Sequence, residues 1–352
     1  MTNIFKNKKV FLTGHTGFKG AWLLQILHKL GADVKGYALA PENDKDLYNQ
    51  INGDSLCYAS VIGDILDDRL LKGELIRFEP DFVFHLAAQS LVRKSYQHPV
   101  DTFAVNVMGT INVLEAIRGL DKPCIGIMVT TDKVYENNET GHPFAEDEKL
   151  GGYDPYSASK AACEIAISSY RNSFFHPDKF DQHQKSIASV RAGNVIGGGD
   201  FALDRIIPDI VRSIEREAAV VLRNPKAVRP WQHVLEPLLA YISLAEKMTT
   251  EPQSLASAYN IGPDKEDVLD VETVTQKFIA YYGKGSIEVE QNTTQPHEAN
   301  LLLLDNTKIK NAIGLQPKLS ADEAIKMTAE WYADKQTSAL EKCSAQINQY
   351  FS

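Results

Sequence analysis

The chain has 352 residues, 43% apolar and 24% charged, a globular balance that excludes a disordered, collagenous or disulfide-stapled chain. Its 46 acidic against 37 basic side chains give a formal net charge of -9, so nucleic acid is a poor partner, because affinity there comes from Lys and Arg on phosphates. Cys57, Cys124, Cys163 and Cys343 form no CxxC pair, no stretch has the length of a membrane helix, and the basic start lacks the apolar run of a secretory leader, so a cytoplasmic protein without metal is expected.

Residues 9–13 are a short apolar run that stops at Gly14, a buried strand. Residues 21–30 carry apolar side chains at helical spacing and stop at Gly31. Strands follow at 33–39, 57–62 and 81–88, a long helix at 101–120, a fifth strand at 125–130, a helix at 156–174 and a sixth strand at 186–191. Apolar strands alternating with helices predict an α/β, Rossmann-type doubly wound parallel sheet covered on both faces. Beyond Arg191 the pattern loosens. Residues 194–230 are rich in Gly, Asp, Arg and Pro, and a helix at 234–248 and a strand at 258–261 return to the sheet. Ser320 and Glu323 have the spacing of a capping box. With no linker and no repeat, a smaller second domain is interleaved with the first: residues 1–190 and 231–261 make one, 191–230 and 262–352 the other.

Gly14-His-Thr-Gly17-Phe-Lys-Gly20 lies between the first strand and the first helix. Glycines there permit a tight turn and close approach to a pyrophosphate, and the helix N-terminus supplies N–H donors and a positive dipole. In that context the GxxGxxG spacing reads as a dinucleotide site. The acidic residue that often ends the second strand of such folds is missing; backbone groups or Asn43 are the candidates to replace it. No Arg stands there for a 2′-phosphate, which favours NAD over NADP. Asp64, after the third strand, is a candidate acceptor for adenine or a helix cap. Tyr156-Ser-Ala-Ser-Lys160 puts a phenol and an ammonium on one helix face, where the Lys charge would lower the Tyr pKa. Thr130-Thr131-Asp132-Lys133 ends the fifth strand, where open parallel sheets carry their active groups.

Joined by His85-Leu-Ala-Ala-Gln89, Asn106, Arg191-Ala-Gly-Asn194-Val-Ile-Gly-Gly-Gly and Arg229-Pro-Trp-Gln-His-Val234, these motifs resemble the extended short-chain dehydrogenase/reductase family over nearly the whole chain. Within it they look like the nucleotide-sugar 4,6-dehydratases, and the segments GHTGFKG, HLAAQSLVRKSY, TTDKVYEN, RAGNVIGGGD and RPWQHVLEPL are most similar to the branch acting on CDP-glucose.

The resemblance implies bound NAD, held by Gly14, Thr16, Gly17, Phe18, Gly20, Asp64, Leu86, Ala87, Ala88, Tyr156 and Lys160. It implies a nucleotide sugar, CDP-glucose, at Gln89, Asn194, Arg205, Arg229, His297 and Glu298, with Arg229 on the diphosphate. Tyr156 is then the base at the sugar 4-hydroxyl, Thr131 shares that hydrogen bond, and Asp132 is the acid that helps the 6-hydroxyl leave. Most dTDP-glucose relatives have Glu at position 133 as the C5 base; here Lys133 is either a base of depressed pKa or a cation stabilising the enolate. Lys19 either faces a phosphate or is a solvated lysine of the first turn, and Trp22 and Trp231 are read as packing residues. The long helices at 101–120 and 156–174 resemble those that form a homodimer interface in relatives. A nucleotide-sugar 4-epimerase would share Tyr156, Lys160 and Thr131 but needs no acid at Asp132. A non-catalytic NAD-binding regulator would need only the glycine turn.

Overall fold

The computed structural model describes residues 4–265, 267–289 and 301–352. Its centre is a seven-stranded sheet in which every pairing is parallel. Six strands come from the first part of the chain: β1 (Lys9–Thr13), β2 (Asp33–Ala38), β3 (Ala59–Ile62), β4 (Phe82–His85), β5 (Cys124–Val129) and β6 (Lys185–Ala192). The seventh is Ala258–Ile261, and the order across the sheet is Ala258–Ile261, β6, β5, β4, β1, β2, β3. The winding reverses between β1 and β4, so a crevice opens at their C-terminal ends, where such sheets bind ligands.

Strand side chains alternate between two cores, as the two-residue period requires. Val10, Leu12, Phe82, Phe84, Ile127 and Val129 pack with the helices Phe18–Lys29 and Leu235–Met248. Phe11, Val83, Met128 and Ile187 pack on the other face with Asp68–Phe78, Gly109–Arg118 and Pro155–Ser173. Trp22 is a buried packing residue, while Trp231, also buried, borders the cavity at the strand ends. Ser320 and Glu323 form the expected capping box, and a second one at Ser338 and Glu341 starts the last helix, Ala339–Phe351. That helix returns to the first: Gln25 Nε2 donates to the Leu340 carbonyl at 3.1 Å and to Ser344 Oγ at 2.8 Å.

Most element boundaries differ from the sequence reading by one to three residues, and two of the differences are informative. The fourth strand stops at His85 rather than 88, because the Leu86 and Ala87 amides turn to Thr13 Oγ1, each at 3.2 Å. Thr13 Oγ1 in turn donates to His85 Nδ1 at 2.8 Å, and His85 Nε2 meets Thr110 Oγ1 at 3.1 Å, which donates to the Asn106 carbonyl at 2.7 Å. The chain of donors assigns the imidazole proton to Nε2. The long helix runs Pro99–Arg118 and contains a π-turn at Ala104–Met108. By length and composition this stretch passes for a membrane span, contrary to the sequence reading; the buried Thr102, Asn106 and Thr110 and its apolar face in the second core place it within the fold.

A buried ion pair ties the sheet to the Pro155–Ser173 helix. Glu164 accepts from Thr130 Oγ1 at 2.5 Å, from Ser189 Oγ at 2.8 Å and from Arg191 Nη2 at 2.9 Å. Arg191 Nη1 donates to Tyr135 Oη at 2.8 Å, and Tyr135 Oη donates to Asn260 Oδ1 at 2.6 Å. Both charged side chains are buried.

Replacing Glu164 with Ala strands Arg191 as an unpaired buried cation, and the expected loss of stability is about 3–5 kcal/mol, read from the urea unfolding midpoint. Acid should also destabilise the fold. Burial lowers His85 and His233 to about 3 and His15 to about 4, against the ordinary imidazole value of 6.5. The unfolded chain then takes up protons that the folded one refuses, so this stability is complete above the unfolded value and is lost as pH falls toward 4. A thermal midpoint that does not fall between about pH 7 and pH 4.5 contradicts it.

Candidate active site

The C-terminal ends of β1, β4, β5 and β6 open into one cavity of about 920 Å³. That volume lies at the upper end of small-ligand pockets. Its first wall is the glycine turn. Gly14 has φ +77°, and a Cβ there would come within 2.7 Å of the Ala87 nitrogen. A Cβ on Gly20 would lie 2.0 Å from the Gly14 carbonyl oxygen. The turn is therefore as tight as a backbone cradle for a pyrophosphate demands, and it feeds the helix Phe18–Lys29, whose N-cap is Gly17.

Gly14, Thr16, Gly17, Phe18, Gly20, Asp64, Leu86, Ala87 and Ala88, named from the sequence, all line this cavity. The side chains of two of them are occupied locally. Thr16 Oγ1 donates to the Leu39 carbonyl at 2.9 Å, and Asp64 Oδ1 accepts from the Leu66 amide at 2.9 Å. Asn43 is not a lining residue, and it bonds Asp46 within its own loop.

The catalytic candidates converge on the same cavity: Thr131, Asp132, Lys133, Tyr156 and Lys160 all line it. Asp154 caps the helix that carries Tyr156 and Lys160, accepting from the Ser157 amide at 2.9 Å. Thr131 Oγ1 donates to Asp132 Oδ1 at 2.9 Å, while Asp132 Oδ2 is buried with no hydrogen-bond partner among the described residues. Lys133 Nζ lies 3.5 Å from Asp132 Oδ1 and 3.4 Å from Asn194 Oδ1. Lys160 Nζ donates to the Val129 carbonyl at 3.2 Å.

The expected lowering of Tyr156 by Lys160 is not found. Burial pushes the Tyr156 phenol up to about 12, because a phenolate in that wall loses its water. The Thr131 hydrogen bond and the Arg205 charge pull the other way. Burial also lowers Lys160 itself, against the raising effect of Cys163 and Glu164.

The substrate-side predictions divide. Asn194, Arg205 and Arg229 line the cavity. Arg205 is fixed by Asp200 Oδ2 and Ser90 Oγ, both at 2.9 Å, and Arg229 Nη1 donates to the Val228 carbonyl at 2.9 Å. Gln89 is not among the lining residues, and its amide bonds Leu91 and Thr102 within its own loop. His297 and Glu298 lie outside the described residues. Lys19 is half-buried rather than a surface lysine: it lines the cavity, donates to Tyr241 Oη at 3.3 Å, and is lowered to about 7, first by burial and then by Arg205 and Lys160. The sequence reading does not anticipate Tyr241, because it looks like any apolar residue of a covered helix. It also misses Ser90 and Asp200, although both sit beside motifs that the sequence marks out.

The family model described as GDP-mannose 4,6 dehydratase matches residues 11–328. CDP-glucose 4,6-dehydratase of Salmonella typhimurium is 44% identical over 330 residues, covering 94% of this chain and 92% of that protein. Among solved structures, UDP-glucose 4-epimerase of Thermus thermophilus in complex with NAD superposes with a TM-score of 0.76 at 25% identity, covering 93% and 99% of the two chains. A dTDP-glucose 4,6-dehydratase of Streptomyces venezuelae with NAD bound gives 0.77 at 23% identity over 93% and 98%, a likeness of fold. The sheet order agrees with these likenesses of fold, and the chain belongs to the GDP-mannose 4,6 dehydratase family of nucleotide-sugar enzymes.

Proposed function

We propose that this protein is an NAD-dependent CDP-glucose 4,6-dehydratase, a lyase that forms CDP-4-keto-6-deoxyglucose and water in the cytoplasm. The observation that carries the reading is Asp132, a buried carboxylate with one oxygen held by Thr131 and the other turned to no partner among the described residues. Exchange of configuration at C4 needs no such group, whereas loss of a hydroxyl as water needs an acid beside it. The 44% identity to a CDP-glucose 4,6-dehydratase supports the choice of nucleotide sugar.

The residues present fit NAD: the cradle closed by Gly14 and Gly20 leaves backbone N–H groups and a helix N-terminus for a pyrophosphate. When bound, NAD supplies a reversible hydride acceptor, taking hydride at C4 and returning it at C6. The chain's own groups do the proton work. Tyr156, whose ionisation is eased by the Thr131 hydrogen bond and the Arg205 charge, takes the proton of the 4-hydroxyl as phenolate. The 4-ketone so formed acidifies the C5 proton. Lys133 Nζ, 3.5 Å from Asp132 Oδ1, gives its own proton to that carboxylate, takes the C5 proton in its place, and returns it to C5 once the 6-hydroxyl has left and C6 is reduced. Asp132 gives its proton to the departing 6-hydroxyl, which leaves as water. Lys160 is assigned to the nicotinamide ribose, and Arg229, with Asn194 and Arg205, to the substrate. The dinucleotide domain is residues 1–190 with 231–261, and the substrate domain 191–230 with 262–352.

Mass spectrometry of CDP-, dTDP-, GDP- and UDP-glucose after incubation with the protein should show loss of one water from CDP-glucose alone. Asp132→Asn should slow that loss by about 100-fold or more with CDP affinity near that of the parent; full dehydration by this variant rejects the acid assignment. Inversion at C4 without loss of mass would mean an epimerase instead.

A homodimer is part of the proposal. The helices Pro99–Arg118 and Pro155–Ser173 expose Val100 at 78%, Ile165 at 61%, and Phe103 and Met108 less fully. Such a group of exposed apolar side chains on neighbouring helices suits a partner surface. Light scattering should give the mass of two chains, and Ile165→Lys with Val100→Asp should give one; a monomeric parent at micromolar concentration rejects the interface.

A further inference from the structure

The mouth of the cavity carries a charge arrangement that the reaction above does not use. Asp204 holds two guanidinium groups on one carboxylate oxygen: Arg93 Nη1 lies 3.4 Å and Arg223 Nη1 3.5 Å from its Oδ1. The two cations come from separate parts of the chain. Arg93 belongs to the short helix Val92–Gln97 that follows β4, and Arg223 directly follows the strand Val220–Leu222. All three residues line the cavity, and each side chain is about a third exposed, at 34%, 33% and 39% for Arg93, Arg223 and Asp204. Asp204 sits at φ +59°, in the left-handed region. Its neighbour Arg205 is separately tied to Asp200.

One carboxylate offers a single negative charge to two guanidinium groups, and both contacts are longer than a good charge-assisted hydrogen bond. Partly exposed ion pairs of this kind contribute little and exchange readily. A diphosphate brings more charge and several oxygens that match the guanidinium fork. We infer that Asp204 stands in for the diphosphate of the nucleoside diphosphate ligand, holding Arg93 and Arg223 together across the mouth until that ligand displaces it. This clasp rests on the nucleotide-sugar reading. It adds two outer ligands for the diphosphate to the buried Arg229, and it makes Asp204 a competitor of the substrate rather than a partner.

The competition gives a test whose sign a merely structural residue cannot produce. CDP is titrated calorimetrically into the full-length parent, Asp204→Ala, Asp204→Asn, Arg93→Ala, Arg223→Ala and the Asp204→Ala/Arg223→Ala double variant, with NAD as a second titrant. Removing the Asp204 charge should tighten CDP binding about three- to tenfold and leave NAD binding unchanged. Each arginine variant should weaken CDP binding by about tenfold, and the double variant should lose the gain. Unchanged or weaker CDP binding by both Asp204 variants, in a parent that binds CDP, overturns the clasp and leaves the proposed function standing. Tighter binding of NAD alone also overturns it. A parent that binds no CDP overturns the proposed function and the clasp together.

Discussion

One buried carboxylate constrains the rest of the site. Glu164 lies one helical turn beyond Lys160 and bonds Thr130, the residue before Thr131, together with Ser189 and Arg191 of β6. Arg191 leads through Tyr135 to Asn260 on the edge strand. Charges out of water must stay paired, so none of these segments moves without exposing an uncompensated ion. The loop after β5, the helix bearing the phenol, and the segment after β6 that carries Asn194 are therefore referred to a common point. Reacting groups from three separate stretches of chain need such a reference if they are to be held within a fraction of an ångström.

The cavity floor mixes charges of both signs at short range. Lys19, Lys160 and Arg205 stand near Asp132 and Tyr156, and burial weakens the charged form of each lysine. Tyr156 is held protonated by the same loss of water, with Thr131 and Arg205 opposing it. The phenol is thus a reluctant acid in this wall, and Thr131 and Arg205 are the groups that ease its ionisation.

Much of this was legible in the sequence, for physical reasons. Parallel strands buried on both faces are short apolar runs, and a glycine turn between strand and helix has few other uses, so the sheet and the first cavity wall could be read directly. Thr131, Asp132, Tyr156 and Lys160 follow from their places at a strand end and on one helix turn. What stayed hidden was direction. Gln89 sits among lining residues, yet its amide closes its own loop, and no spacing rule reports which way a loop side chain turns. The sign of the Tyr156 shift depends on how much water the wall removes, which a YxxxK spacing does not carry. Tyr241 acts through Lys19, 222 positions away, and Asp204 joins Arg223 to Arg93, 111 positions before it, beyond any local pattern.

The π-turn at Ala104–Met108 has an evolutionary side. It holds one residue more than the α-helical path, so Asn106 can bond Gln89 and Ser159 while Val100 and Phe103, a turn earlier, face outward. Each residue advances an α-helix by about 100°, so deleting one residue from this turn would swing everything before it round the axis. The exposed apolar face and the Asn106 anchor beside the Pro155–Ser173 helix would then change together. A change of length that a loop absorbs would therefore cost this helix its anchor and its apolar face at once, whereas a substitution alters one residue of that face at a time.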